Sequence, residues 1–372
     1  MTVTSQVQPP SRASRLESIQ LLRAIAATMV VILHASIVVY PEGGLPFIPR
    51  FGVGVDLFFV ISGFVIVYSA RSLFEKPGGW RRFLLLRIIR VVPLYWMALT
   101  LRLAMLAAGA LAGVKAFPDA VDILTSYFFI PHDSMGYGDA YPFPILDLGW
   151  SLNFEMFFYL VFAFFLALPM RRAVFACGLV MALGVGLAFV FPLPLPFGFW
   201  LQPIILEFVS GMALALIYMS GVRISPWVSV LLVAAALYIW FGNTFSQYAS
   251  GEGPGYYAFP RFIVLGGGAI CLMAAATLTR DLDLPKPLLS LSTLGDSSYA
   301  LYLLHPFVLL AFKAIHEYLP TIPTLQPLIL AAMVLATISC AHAFHVLIER
   351  RINAKLRGLT AVRQPSAAMK QS

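Results

Sequence analysis

Titratable side chains are scarce in the long apolar runs of this chain, and the few that occur there are spaced as they would be on helices. Arg23 and His34 lie in the first run, eleven residues apart, which corresponds to about 16 Å along a helix. Asp56 and Glu155 lie in two later runs. A carboxylate beside a histidine fixes the imidazole tautomer and strengthens it as a base. We therefore predict that Asp56 or Glu155 orients His34 for proton abstraction, with a hydrogen-bonded structural network as the alternative.

Guanidinium groups form a second set of candidates. Arg23, Arg87 and Arg90 fall near the same end of their predicted helices. Arginine binds phosphate through paired hydrogen bonds, so three arginines together predict a site for a phosphorylated ligand. For Arg87 and Arg90 alone, the alternative is snorkelling of the side chain to lipid headgroups.

One face of a later helix carries three more polar side chains. Ser298, Tyr302 and His305 are separated by four and three residues, which places them on one side of a helix. We expect them to line the passage for the acceptor or the donor. Hydrogen bonding between helices is the structural alternative.

The composition requires that these side chains be held inside a membrane. The chain of 372 residues is 60% hydrophobic and only 11% charged, whereas soluble chains carry about 25% charged residues. This excludes a soluble enzyme, a disordered chain and a nucleic-acid-binding module. The net charge of +8 fits the basic loops of a membrane protein better than a nucleic-acid partner. The three cysteines lie in apolar runs without CxxC or CxxH spacing, so neither disulfides nor a metal site is predicted.

We predict an all-α polytopic membrane protein with about ten transmembrane helices, because ten apolar runs approach the length that crosses a bilayer. Most of the 25 Lys and Arg residues fall in the N-terminus, every second loop and the C-terminal tail, so the positive-inside rule puts both termini in the cytoplasm. The stretch 80–93 is predicted to be an amphipathic segment at the membrane surface. In this topology His34, Asp56 and Glu155 share one layer, about 8 Å below the outer boundary. The runs lie near residues 19–40, 51–70, 91–112, 149–168, 173–191, 200–219, 226–242, 258–278, 297–315 and 325–347.

Ordered motifs extend over nearly the whole chain. They are the Arg-x10-His pattern from Arg23 to His34, FGVGVDLFFVISGF at 51–64, RIIRVVPLYW at 87–96, LGWSLNFEMFFYL at 148–160, SSYALYLLHPF at 297–307 and IER at 348–350. In this order and spacing, the sequence resembles the acyltransferase-3 family of integral membrane acyltransferases, in particular its bacterial exopolysaccharide O-acetyltransferases. The corresponding segments are a cytoplasmic segment 1–18, a membrane acyltransferase domain 19–351 and a cytoplasmic polar tail 352–372.

The resemblance implies an activity and its substrates. An acyl group, usually acetyl, would move from cytoplasmic acyl-CoA to a hydroxyl of an extracytoplasmic glycan or lipid-linked saccharide such as an exopolysaccharide. The enzyme would lie in the bacterial inner membrane, beside proteins of polysaccharide biosynthesis, with acetyl-CoA as a substrate and no bound cofactor. The implied site residues are His34 as catalytic base, Arg23, Arg87 and Arg90 for the CoA phosphates and donor arm, and Asp56 and Glu155 as acidic residues without separately assigned roles.

Two alternatives stay open at this point. A covalent acyl-histidine or acyl-serine intermediate is a variant of the mechanism, with Ser62 and Ser151 of the motifs as candidate serines. Helix packing beside Gly63 is the better explanation of Ser62. In membrane proteins that are not enzymes, charged residues within the spans also mark the pathways of transporters. On this alternative to an enzyme, the chain would be a transporter or flippase for a lipid-linked or acylated sugar. A scaffold for a polysaccharide synthase is the third interpretation.

Overall fold

Helices account for nearly all of the regular structure. The computed structural model describes residues 12–40, 48–113, 117–134, 142–242, 259–280, 285–316 and 323–361, and no β-strand is present in these ranges. Two short π-helical segments, Phe262–Gly266 and His345–Glu349, continue α10 and α14. The α-helices are α1 (Arg12–Val39), α2 (Gly54–Ala70), α3 (Gly79–Leu111), α4 (Ala120–Tyr127), α5 (Gly149–Phe165), α6 (Met170–Val190), α7 (Phe197–Trp200), α8 (Leu206–Met219), α9 (Pro226–Phe241), α10 (Phe259–Arg261), α11 (Gly267–Leu278), α12 (Lys286–Asp296), α13 (Ser298–His316), α14 (Gln326–Phe344) and α15 (Arg350–Ala361).

The long apolar helices confirm an all-α polytopic membrane protein. Within the described residues, seven helical segments are long and apolar enough to cross a membrane, and three further apolar helices are shorter. Together they follow the ten predicted runs in chain order. The number of crossings and the cytoplasmic location of both termini stay predictions. The seven segments are Glu17–Val39, Arg50–Ala70, Gly79–Leu111, Met170–Val190, Phe259–Leu278, Ser298–Ile315 and Gln326–Leu359, and the shorter ones are Gly149–Phe165, Pro203–Met219 and Pro226–Phe241.

The basic stretch 80–93 forms the first part of α3, a continuous helix of 33 residues that goes on into the third predicted run. Its location at the membrane surface stays a prediction. Pro93 lies inside this helix and removes one backbone hydrogen bond without ending it. Arg87 and Arg90 are therefore held rigidly on a membrane helix.

Helix α1 occupies the centre of the bundle. It packs against α2, α12, α13 and α14. Ala26, Ala27 and Ala35 on α1 are fully buried, and such small side chains allow neighbouring helices to approach closely. Arg23 and His34 both lie on α1, so their side chains are within reach of several neighbouring helices.

A pair of glycines brings α2 and α8 into backbone contact. A Cβ atom on Gly63 would overlap the carbonyl oxygen of Phe208, and one on Gly211 would overlap that of Val60. Aromatic rings fill the space beside the crossing: Phe59 stacks on Phe208 with ring centroids 4.7 Å apart. Only glycine at both positions permits this approach.

A buried ion pair joins α2 to α10. The guanidinium of Arg261 donates from Nε to Asp56 Oδ1 at 3.0 Å and from Nη2 to Asp56 Oδ2 at 2.7 Å. The two side chains are 3% and 0% exposed. Glu207 of α8 is fully buried beside the pair, and a Cβ on Gly266 would lie 2.8 Å from Glu207 Oε1. The cluster therefore ties three helices together.

Replacing Gly63 by alanine tests the helix crossing. Because the added methyl meets backbone rather than a movable side chain, we expect Gly63→Ala to lower the free energy of unfolding by about 1–3 kcal/mol, measured in mixed SDS–detergent micelles. Gly109→Ala in α3 is the matched control, since nothing lies within 4 Å of a Cβ there. Equal stability of the two variants would show that α2 and α8 do not cross in this way.

The ion pair predicts a different pattern of stability. Asp56→Asn or Arg261→Met each leaves one buried charge without its partner, which costs about 3–5 kcal/mol. The double variant Asp56→Leu with Arg261→Met removes both charges, so we expect it to regain much of that loss in the same unfolding assay. Additive losses in the double variant would contradict the pairing.

Candidate functional site

Three arginines line a cavity of about 760 Å³, which we call the arginine cavity. Arg23 comes from α1, and Arg87 and Arg90 come from α3, so the structure brings together the three guanidiniums that the sequence singled out. In the described part of the chain, no ion pair joins any of them to a carboxylate. Glu155 is the one carboxylate among the described lining residues, so the three guanidiniums leave the cavity with a net positive charge, as the site of an anionic ligand requires.

Neutral oxygens hold two of these arginines in place. Arg23 donates from Nη2 to Ser298 Oγ at 2.9 Å and from Nη1 to Gln20 Oε1 at 3.2 Å. Arg87 donates to Ser69 Oγ, and its buried Nε atom has no hydrogen-bond partner among the described residues. These contacts orient the guanidiniums and leave their charge for a ligand.

Glu155 also lines the arginine cavity. It accepts hydrogen bonds from Ser62 Oγ at 3.1 Å and from the hydroxyl of Tyr159. The expectation that Glu155 shares a layer with His34 is wrong. Leu148, immediately before α5, already borders the cavity that contains His34, so the seven residues to Glu155 carry it about 10 Å further along the helix.

His34 lies in a second cavity, of about 550 Å³, together with His305; we call it the histidine cavity. The two imidazole rings are in contact, with centroids 4.9 Å apart and planes tilted by 44°. The ring on α1 is thus paired with one on α13. Sequence analysis singled out both histidines but did not predict that they meet.

Backbone carbonyls fix both imidazole tautomers. His34 Nδ1 is 2.9 Å from the carbonyl oxygen of Val30, and His305 Nδ1 is 3.2 Å from that of Leu301. A carbonyl only accepts, so each Nδ1 carries the proton and each Nε2 presents a lone pair. The buried Nε2 of His305 has no partner among the described residues. His34 therefore has the tautomer of a base without help from a carboxylate.

Asp56 does not orient His34. Both of its carboxylate oxygens accept hydrogen bonds from Arg261 of α10, so the predicted pairing of Asp56 with His34 is wrong. The reason is helix rotation: two side chains at equal depth in the membrane can point in different directions around their helix axes. Arg261 was overlooked although it stands within the predicted run 258–278, where a lone arginine was the available signal.

A thin wall separates the two cavities. Tyr302, which lines the arginine cavity, hydrogen-bonds through its hydroxyl to Ser151 Oγ at 2.8 Å and donates to the carbonyl oxygen of Leu148 at 3.1 Å. Its ring lies 6.2 Å from that of His305, measured between centroids. The residues of the wall thus contact both cavities, and Ser298 and Tyr302 belong to the arginine cavity while His305 belongs to the histidine cavity.

We searched the described residues for side chains that could bind a metal ion together. Across the described ranges, no group of three or more His, Cys, Asp and Glu side chains is arranged to hold an ion. The side chains that line the two cavities offer imidazole, guanidinium, ammonium, carboxylate and hydroxyl groups.

Known proteins similar to this chain are acyltransferases or proteins of polysaccharide production. The exopolysaccharide production protein ExoZ of Rhizobium meliloti is 34% identical over 273 residues, or 69% of this chain and 76% of ExoZ. The acyltransferase MdmB of Streptomyces mycarofaciens is 30% identical over 61% of this chain and 64% of its own length. The peptidoglycan O-acetyltransferase OatA of Listeria monocytogenes is 25% identical over 82% of this chain, which spans only 51% of OatA. No solved structure matches.

The match to the acyltransferase domain family is broader than any of these pairwise similarities. It extends from residue 16 to residue 345 and so includes most of α1, all of α13 and every residue named in the two cavities. Among the relatives named here, MdmB is an acyltransferase and OatA is an O-acetyltransferase. The chain belongs to the acyltransferase-3 family and is a multi-pass membrane acyltransferase.

Proposed function

We propose that this enzyme transfers an acetyl group from acetyl-CoA to a hydroxyl of a glycan or lipid-linked saccharide across the membrane. The observation that carries the proposal is the adjacency of the two cavities, one with three arginines without carboxylate partners and one with the lone pair of His34 Nε2. The first suits a phosphorylated donor and the second suits activation of a hydroxyl. The names of ExoZ and OatA add support for a polysaccharide acceptor.

The donor is expected to bind from the arginine side. The phosphates of CoA bind Arg23, Arg87 and Arg90, and the pantetheine arm extends past Glu155 towards the wall. The positive-inside rule favours a cytoplasmic location for this side, which is where acyl-CoA is available. Glu155, which holds Ser62 and Tyr159 by hydrogen bonds, limits the excess positive charge and fixes the shape of the cavity.

The acceptor hydroxyl is expected to react at His34. Its proton moves to His34 Nε2 as the oxygen attacks the thioester carbonyl, and the carbon–sulfur bond then breaks. The imidazolium returns the proton to the departing thiolate, which gives CoA and the O-acetyl ester and restores the enzyme. The neighbouring His305 accepts a hydrogen bond from a second hydroxyl of the acceptor.

The wall has to open for this reaction. The thioester reaches His34 only when the Tyr302 side chain leaves its hydrogen bonds to Ser151 and Leu148. A bound donor compensates for these lost bonds with its own contacts. Asp56 is assigned a positioning role through its ion pair with Arg261, because its oxygens face neither cavity.

The proposal also assigns a place to the enzyme in the cell. A multi-pass acyltransferase that uses acyl-CoA and a surface glycan belongs in the bacterial inner membrane, where its substrates meet. Its partners there are membrane lipids and the proteins that assemble the acceptor.

His34→Ala tests the proposed base. Removal of a general base lowers rates by about 10²–10⁴-fold, so transfer from labelled acetyl-CoA is expected to fall at least 100-fold while the protein stays folded. His342→Ala is the matched control, since His342 is also on a membrane helix but lines neither cavity. Rates within twofold of wild type for His34→Ala would exclude the role of His34.

Loss of two arginines tests the donor site. The double variant Arg87→Ala with Arg90→Ala removes charged hydrogen bonds worth about 1.5–3 kcal/mol each, so the Kd for CoA is expected to rise roughly 100-fold in calorimetry of the purified protein. The double variant Arg81→Ala with Arg82→Ala removes the same charge from exposed positions of the same helix. An equal loss of CoA binding in both double variants would indicate general attraction rather than a defined site.

A further inference from the structure

The rim of the histidine cavity carries two charged residues that the proposed reaction does not use. Asp147 precedes α5 and Lys313 lies on α13, and both line the cavity while remaining exposed. No ion pair joins them in the described part of the chain. Opposite charges that share a cavity without binding each other are available to a ligand.

The lining of the cavity restricts what that ligand is. Both histidines give their N–H to backbone carbonyls, so the inner part of the cavity offers lone pairs only. Asp147 also only accepts. Lys313 is the single side-chain donor among the described lining residues, and the rest of the lining is apolar. A ligand that satisfies this site brings several hydroxyl donors and at least one acceptor oxygen, as a sugar does.

The two charged residues stand at different distances from the reacting centre. Asp147 immediately precedes Leu148, and both residues line the cavity together with His34. Lys313 follows His305 by eight residues, or about 12 Å along α13. Lys313 therefore lies about two helix turns from His305, and its contact is expected on a part of the acceptor other than the reacting hydroxyl.

We propose that Asp147 and Lys313 select the acceptor. Asp147 accepts a hydrogen bond from a second hydroxyl of the sugar that is acetylated, and Lys313 donates to an oxygen of the next sugar along the glycan. The acceptor is therefore at least two linked sugar residues. This inference rests on the proposed function and adds to it the recognition of the acceptor.

Acceptor kinetics test the assignment. The purified full-length enzyme is assayed with labelled acetyl-CoA and two acceptor probes: deacetylated cell-envelope glycans from a strain that lacks the protein, and the same glycans hydrolysed to monosaccharides. Loss of a charged hydrogen bond corresponds to about a tenfold change in affinity. Lys313→Gln is expected to raise KM for intact glycan about tenfold and to leave KM for monosaccharides and for acetyl-CoA unchanged. Asp147→Asn is expected to raise KM for both acceptor forms.

Matched variants separate these effects from a general loss of charge. Lys286→Gln removes an exposed lysine outside the cavity, and Asp119→Asn keeps the helix cap that Asp119 provides to α4. Neither is expected to alter acceptor KM. If the enzyme acetylates intact glycan but not monosaccharides, that result also supports an acceptor of two or more sugars.

Failure of this inference differs from failure of the proposed function. If the wild-type enzyme acetylates the glycans but Lys313→Gln and Asp147→Asn leave every acceptor KM unchanged, the assignment of these two residues is overturned and O-acetylation stands. A parallel rise in KM for acetyl-CoA would also overturn it, because the rim would then serve the donor. If the wild-type enzyme acetylates no form of the glycans, both proposals fall.

Discussion

Hydrocarbon does not solvate charge, so each ionised side chain in the spans of this protein has to obtain its partners from the protein or from a ligand. Asp56 and Arg261 show the first solution: each satisfies the other, and the pair closes off a junction between helices. The arginine cavity shows the second, because Arg23, Arg87 and Arg90 face an open volume without a carboxylate bound to them. The contrast separates residues that hold the bundle from residues that we propose to hold a substrate.

The same constraint explains the state of the two histidines. An imidazole in a membrane helix has few donors and acceptors within reach, and the nearest is the carbonyl oxygen one turn earlier on its own helix. His34 and His305 both use it, through Val30 and Leu301. Each tautomer is thereby set by local backbone geometry. This differs from the arrangement in which a carboxylate orients a catalytic histidine. Asp56 and Glu155 instead bind Arg261 and the hydroxyls of Ser62 and Tyr159, respectively.

Much of the fold was predictable because long apolar runs in a membrane protein have few alternatives to helices. The ten runs correspond to helices, and the arginines near one end of their helices do share a cavity. Contacts that depend on helix rotation were not predictable from depth alone: Asp56 faces Arg261, and His34 meets His305 instead of a carboxylate. Glu155 was misplaced because Leu148, immediately before α5, already borders the histidine cavity, and Glu155 lies about two turns further along the helix.

The wall formed by Tyr302 and Ser151 has a consequence for bioenergetics. An enzyme that joins a donor on one side of a membrane to an acceptor on the other is at risk of becoming an ion channel. Each 100 mV of membrane potential drives a unit charge with about 2.3 kcal/mol, and a continuous water-filled path would dissipate that gradient. In the proposed transfer from one side of the membrane to the other, the hydrogen bonds of Tyr302 to Ser151 and Leu148 would separate the two aqueous compartments between turnovers. Because only an uncharged acyl group has to cross it, a small and brief opening is enough.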